Sequence, residues 1–248
     1  MANSVQTGIE FLLLVCPTWA SVITREGQEI TIDAQPARSS GKLTRQFKIL
    51  IFEDSAAHNI RAKEVAPNSL PKFCPQRHIN SDATFCLTIE ATTVRDVADA
   101  NAWWKKLELY LTVQETASSM GVWPEYAQMA HGEAGNVQLK LEKICKELGS
   151  LSELKESLRN RSGPIFDSAK LIRKRGERLR NGRAECPCGR KSKGGRFLLR
   201  RQCERIQADC PAKLMRKFIK SEQEFWRGMK GKECCGTMEN CPLRVDKA

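Results

Sequence analysis

Two early stretches of the chain place apolar residues at every second position, which predicts neighbouring strands of an antiparallel meander. Ile30 and Ile32 alternate with polar neighbours, and Phe47, Ile49 and Ile51 do so again beyond the turn-forming Ser39-Ser40-Gly41. The run from Phe11 to Val15 is continuous and predicts a core strand or helix. It is short, follows Glu10 and has no Lys or Arg upstream, so it lacks the pattern of an export signal. Prolines at 67, 71 and 75 then exclude a long helix and predict an extended or irregular surface path.

The period changes to a helical one over residues 100–117, where Trp103, Leu107, Tyr110, Leu111 and Gln114 share a stripe and Lys105, Lys106 and Glu108 lie off it. Gly121 to Pro124 interrupts this pattern. Val137, Leu141, Ile144 and Leu148 mark a further amphipathic helix, with Gly149 as its stop and as the end of a first domain at residues 1–149. Residues 150–183 are highly charged around Leu171, Ile172 and Leu179 and predict a basic helical linker. Residues 184–248 then form a cysteine-rich domain in which Leu214, Met215, Phe218, Ile219, Phe225 and Trp226 mark one helix between cysteine groups. The fold class expected is α+β, followed by a small cysteine-rich domain. No apolar stretch approaches the roughly 20 residues that cross a bilayer, so no membrane partner is expected and the cytoplasm is the expected compartment.

Charge separates the same two halves. Residues 1–150 hold 15 Lys/Arg against 17 Asp/Glu, and the remainder hold 26 against 12, so the formal charge of +12 belongs to the C-terminal part. Arg173, Lys174, Arg175, Arg178, Arg180 and Arg183 contribute to it, as do Arg190, Lys191, Lys193, Arg196, Arg200 and Arg201. The last six lack interleaved Tyr or Trp for base stacking, so an acidic protein face is at least as good a partner for them as nucleic acid.

The eleven cysteines divide unevenly too. Cys186, Cys188, Cys203, Cys210, Cys234, Cys235 and Cys241 crowd into the C-terminal part, where no histidine follows His131. In a reducing compartment such a cluster points to an all-sulfur metal site, for which zinc is the commonest ion. Four ligands serve one ion and leave three over; an iron–sulfur site and a metal-free reduced cluster are the alternatives. Cys16, Cys74 and Cys145 read as small buried hydrophobes.

Cys86 is different because of its setting. The string from Leu70 to Leu87 contains His78-Ile79-Asn80 and ends in Phe85-Cys86-Leu87. It resembles the core of ubiquitin-conjugating enzymes, in which a strand leads through a His-Pro-Asn motif and a short turn to a nucleophilic cysteine. Phe47 to Phe52, the proline stretch and the Trp103 helix follow in that family's order, over roughly residues 20–120, and a cysteine-rich extension makes the chain similar to divergent bacterial members. Ile79 stands where the motif has proline, and His78 to Cys86 spans eight positions where the common eukaryotic pattern has ten.

The resemblance implies a transferase that takes a ubiquitin-like protein from an activating enzyme as a thioester on Cys86 and passes it to a target. Asn80 supports the oxyanion or the loop around it, and His78 braces the turn. Asp82, Asp96 and Asp99 are candidates for the acid that positions an attacking amine. ATP is consumed by the activating enzyme, in keeping with a chain that contains neither GxxxxGK[ST] nor GxGxxG. Some bacterial relatives of this kind serve antiviral defence. The alternative is a zinc-containing nucleic-acid-binding or regulatory scaffold whose conjugating-like domain is inactive.

Overall fold

A computed structural model describes residues 7–54, 59–89, 92–173, 179–203 and 209–244. The chain forms two compact units. The first combines Met1–Gln128 with Gly231–Ala248, and the second is Met129–Lys230.

The first unit begins with helix α1 (Gly8–Leu14), so the Phe11 run is helical. Thr7 and Glu10 cap it reciprocally, each side chain satisfying the other's backbone N–H. Strands β1 (Ala20–Glu26), β2 (Glu29–Ala34), β3 (Phe47–Asp54) and β4 (Asn59–Glu64) form an antiparallel sheet in sequence order. Alternation dictates its buried face: Ile32 opposes Ile49, Ile30 opposes Ile51, and Ile51 opposes Ala62, all buried. Helix α2 (Val97–Met120) shares this core through Trp103, Trp104, Leu107, Tyr110 and Leu111. It starts where Asp96 accepts the Asp99 N–H at 2.8 Å and stops at Gly121 in the left-handed region. The Trp104 indole donates to the Leu12 carbonyl at 3.1 Å, tying α2 to α1.

In the second unit the structure departs from the boundaries expected above. Helix α3 (Glu133–Glu147) does not close the first domain; its buried stripe of Val137, Leu141 and Cys145 packs with Met215 and Phe218 of α6 (Pro211–Gly228). Nor is the charged stretch a connecting helix. Helices α4 (Leu151–Asn160) and α5 (Pro164–Asp167) bury Leu154 and Ile165 in the same core, because one apolar residue per turn suffices where the partner supplies the rest. Lys174, Arg175 and Arg178 lie outside the described residues. A second cluster follows, built from Ile172, Leu179, Cys186, Cys188, Cys203, Cys210 and Ala212. Segment 231–244 is not part of it and folds with the first unit, where Met238 and Leu243 are buried. Among the described residues no helix is long and apolar enough to cross a membrane.

Candidate functional site

Beyond β4 the chain makes two tight loops that end at Cys86. Glu64 fixes the approach: its carboxylate accepts the Ser69 and Leu70 N–H groups at 2.9 and 2.7 Å and the Ser69 hydroxyl at 2.6 Å. The first loop closes where Cys74 and Ile79 exchange backbone hydrogen bonds of 3.2 and 3.0 Å across the 3₁₀ turn Pro75–Arg77. His78 ends that turn with φ 54°, a conformation a side chain tolerates only when neighbours hold it. Its ring lies 5.1 Å from that of Trp123.

The second loop is closed by the Asn80 N–H on the Thr84 carbonyl at 2.8 Å and by the Asn80 amide donating to the Thr84 hydroxyl at 3.1 Å. Asp82 accepts the Thr84 N–H and hydroxyl, and Arg61 donates to Thr84 at 2.7 Å. Although burial opposes it, the hydrogen bonds from Thr84 and Arg61 hold the Asp82 carboxyl below its ordinary range. The Phe85 N–H then joins the Ala62 carbonyl at 2.8 Å, and the Cys86 N–H joins the His78 carbonyl at 2.8 Å. Both loops therefore converge on the cysteine.

Helix α2 holds the loops from below. The Tyr110 hydroxyl lies 3.2 Å from both the Arg77 and the His78 carbonyl oxygens. Arg77, only 2% exposed, donates to Gln114 Oε1 at 2.8 Å, to the Gln114 carbonyl at 3.0 Å and to Ser118 at 2.6 Å, while the Gln114 amide returns a bond to the Arg77 carbonyl at 2.6 Å. Tyr110 and Gln114 were legible as members of the α2 stripe, where their polar ends break an apolar pattern one turn apart. Arg77 and Glu64 carried no such signal.

Cys86 itself is half-buried, and its thiol points to the Thr88 carbonyl at 3.6 Å. Burial pushes its pKa up, so the thiol is the resting form at neutral pH. Of the three acidic candidates, Asp96 caps α2, Asp99 pairs with Arg95 at 3.1 Å, and Asp82 stays closest to the loop that ends at Cys86.

The seven C-terminal cysteines do not form one cluster. The sulfurs of Cys186, Cys188 and Cys203 lie within 4.8 Å of one another, with Cys188 at 3.2 Å from Cys186 and 3.9 Å from Cys203. Cys210 is buried beside them and acts electrostatically on Cys188. Zinc–thiolate bonds of about 2.3 Å in a tetrahedron set sulfurs roughly 3.8 Å apart, so this all-sulfur set fits a closed structural site. Hydrogen bonding from Cys186 pulls the Cys188 thiol down toward the thiolate, the form a metal takes. Cys234, Cys235 and Cys241 lie in the first unit instead, and the Cys235 sulfur is 2.9 Å from that of Cys74.

Compared with known families, residues 19–125 match the model described as "Prokaryotic E2 domain", and residues 130–243 match "Cysteine-rich domain, C-terminal to E2 domain". No curated protein and no solved structure matches the chain.

Proposed function

The chain belongs to the prokaryotic E2-like proteins that carry a cysteine-rich domain behind the E2 domain, and from that premise we propose that Cys86 carries a ubiquitin-like protein as a thioester. The observation that supports this most directly is the setting of Cys86: its backbone is pinned to the His78 carbonyl while its sulfur stays partly accessible at the end of two braced loops.

The Cys86 thiolate attacks the thioester carbonyl of the modifier held on an activating enzyme. The carbon–sulfur bond to that enzyme breaks, and its thiolate leaves. An amine of the target then attacks the new thioester, Cys86 leaves as thiolate, and the amine loses a proton to give the amide. Asn80 acts here as a positioning residue, because its amide is engaged with Thr84 and so fixes the loop that presents Cys86. His78 fills the turn and braces it against Trp123. Cys186, Cys188, Cys203 and Cys210 would hold zinc, which on binding supplies only a structural cross-link.

Incubation with ATP, a neighbouring-gene activating enzyme and its ubiquitin-like protein tests the reading. The wild type should gain one modifier through a bond cleaved by thiol reductant. Cys86→Ala should abolish the adduct, Cys86→Ser should give a reductant-resistant ester, and Cys145→Ala should load normally. Normal loading of Cys86→Ala would remove the mechanism.

The charge of the second unit supports a second reading. Residues 129–230 hold 26 Lys/Arg against 12 Asp/Glu, enough to recruit an anionic partner, whether the activating enzyme's acidic face or nucleic acid. Salt-dependent RNA or DNA binding by a protein that never forms the adduct would select an inactive scaffold.

A further inference from the structure

The geometry points to a second metal site, within the first unit, in which Cys74, Cys234, Cys235 and Cys241 hold one zinc ion as a tetrathiolate beside the loop that carries Cys86. Cys74 is the member the sequence conceals, since it stands about 160 residues from its partners and reads alone as a small hydrophobe. In the fold its sulfur lies 2.9 Å from that of Cys235. The Cys241 thiol is hydrogen-bonded with Cys234, and its neighbours include Cys235 and Cys74.

The backbone around these sulfurs is arranged for thiolates. The Gly236 N–H reaches Cys234 at 3.4 Å, and the N–H groups of Thr237, Leu243 and Arg77 reach Cys235, Cys241 and Cys74. A neutral thiol is a weak acceptor, so four amides turned toward four sulfurs suit groups that carry negative charge. The cluster of the second unit repeats the pattern: the N–H groups of Cys188, Arg190 and Ala212 are turned to Cys186, Cys188 and Cys210. Cys16 and Cys86 behave in the opposite way. Each donates its S–H to a carbonyl at 3.6 Å, that of Ala20 or Thr88, as a protonated thiol does.

Arg77 supplies a third observation. Among the described residues its hydrogen-bond acceptors are Gln114, Ser118 and Thr237, all neutral, although the guanidinium is almost fully buried. A buried cation needs a countercharge. Four thiolates around a divalent zinc leave a net negative complex, and Cys74 and Cys235 lie close enough to act on Arg77 electrostatically. The metal would also brace the active loop, because Cys74 closes onto Ile79 and the adjacent His78 carbonyl anchors the Cys86 N–H.

Zinc content of the full-length protein, purified under reducing conditions and measured by inductively coupled plasma mass spectrometry, should be two ions per chain. Cys74→Ser should hold one ion, while Cys145→Ser and Cys86→Ala should keep two. The count is independent of thioester transfer, so it can fail while the carrier reading stands, and the reverse. If Cys74→Ser does not fold, alkylation of the wild type mapped by mass spectrometry gives the same answer: Cys74, Cys234, Cys235 and Cys241 should be protected together and become reactive together on chelation. One zinc per wild-type chain, two in Cys74→Ser, alkylation of Cys234 or Cys241 in the zinc-loaded protein, or a Cys74–Cys235 disulfide would each overturn the site.

Discussion

The sheet of the first unit and the sulfur-lined cluster of the second solve the same problem with different materials. The sheet buries Phe47, Ile49, Ile51 and the two tryptophans of α2, enough apolar area to order its backbone unaided. The cluster has only Ile172, Leu179 and Ala212 besides its four cysteines, and it sits in the unit that carries the positive charge. A segment with so little to bury needs a cross-link, and a metal provides one without an oxidising environment.

Metal removal should break the comparison most visibly. Chelation should strip hydrogen-exchange protection from residues 179–203, and from 231–244, while the β2–β3 ladder stays protected; simultaneous loss of the ladder would show that the sheet depends on metal as well. Next in size is Arg77→Ala, which removes three donors and leaves buried Gln114 groups unpaired. A loss of about 3 kcal/mol in the first unit's stability is expected by denaturant titration, with α6 unaffected.

A third test concerns the accessible thiol. Because burial raises the Cys86 pKa, the thiolate fraction, and with it the loading rate, should climb about tenfold per pH unit from neutrality until that pKa is passed. A plateau at pH 7 would contradict it. The smallest effect belongs to His131, stacked on Phe225 at 4.8 Å and held by burial at about 4 from an ordinary 6.5. Between those values the unfolded chain binds a proton that the folded one refuses. Stability is therefore full above pH 6.5 and falls as pH drops toward 4. The melting temperature of His131→Phe should change less over that interval than that of the wild type.

Much of this was legible along the chain. Strand alternation at Ile30–Ile32 and Phe47–Ile51 and the α2 stripe are local patterns, and they gave the sheet, the helix and the setting of Cys86 in the right order. The partner of α3 was not, because a stripe such as Val137-Leu141-Cys145 fits any complementary face, and α6 begins more than 60 residues later. Helix α4 was hidden by its own charges, with Glu153, Lys155 and Arg159 outweighing Leu154. The return of segment 231–244 to the first unit had no periodic signature at all, since it depends on a few side-chain contacts such as Gln76 with the Asn240 carbonyl at 2.9 Å.

The His78 carbonyl oxygen receives both the Cys86 N–H and the Tyr110 hydroxyl. A single atom thus couples the thiol's main chain to the middle of a 24-residue helix. Its consequence is entropic: Cys86 has little backbone freedom left to lose when a bulky acyl partner arrives, so the free energy of encounter is not spent on ordering the loop. Tyr110→Phe would return that freedom to the cysteine while leaving every atom of the thiol chemistry in place.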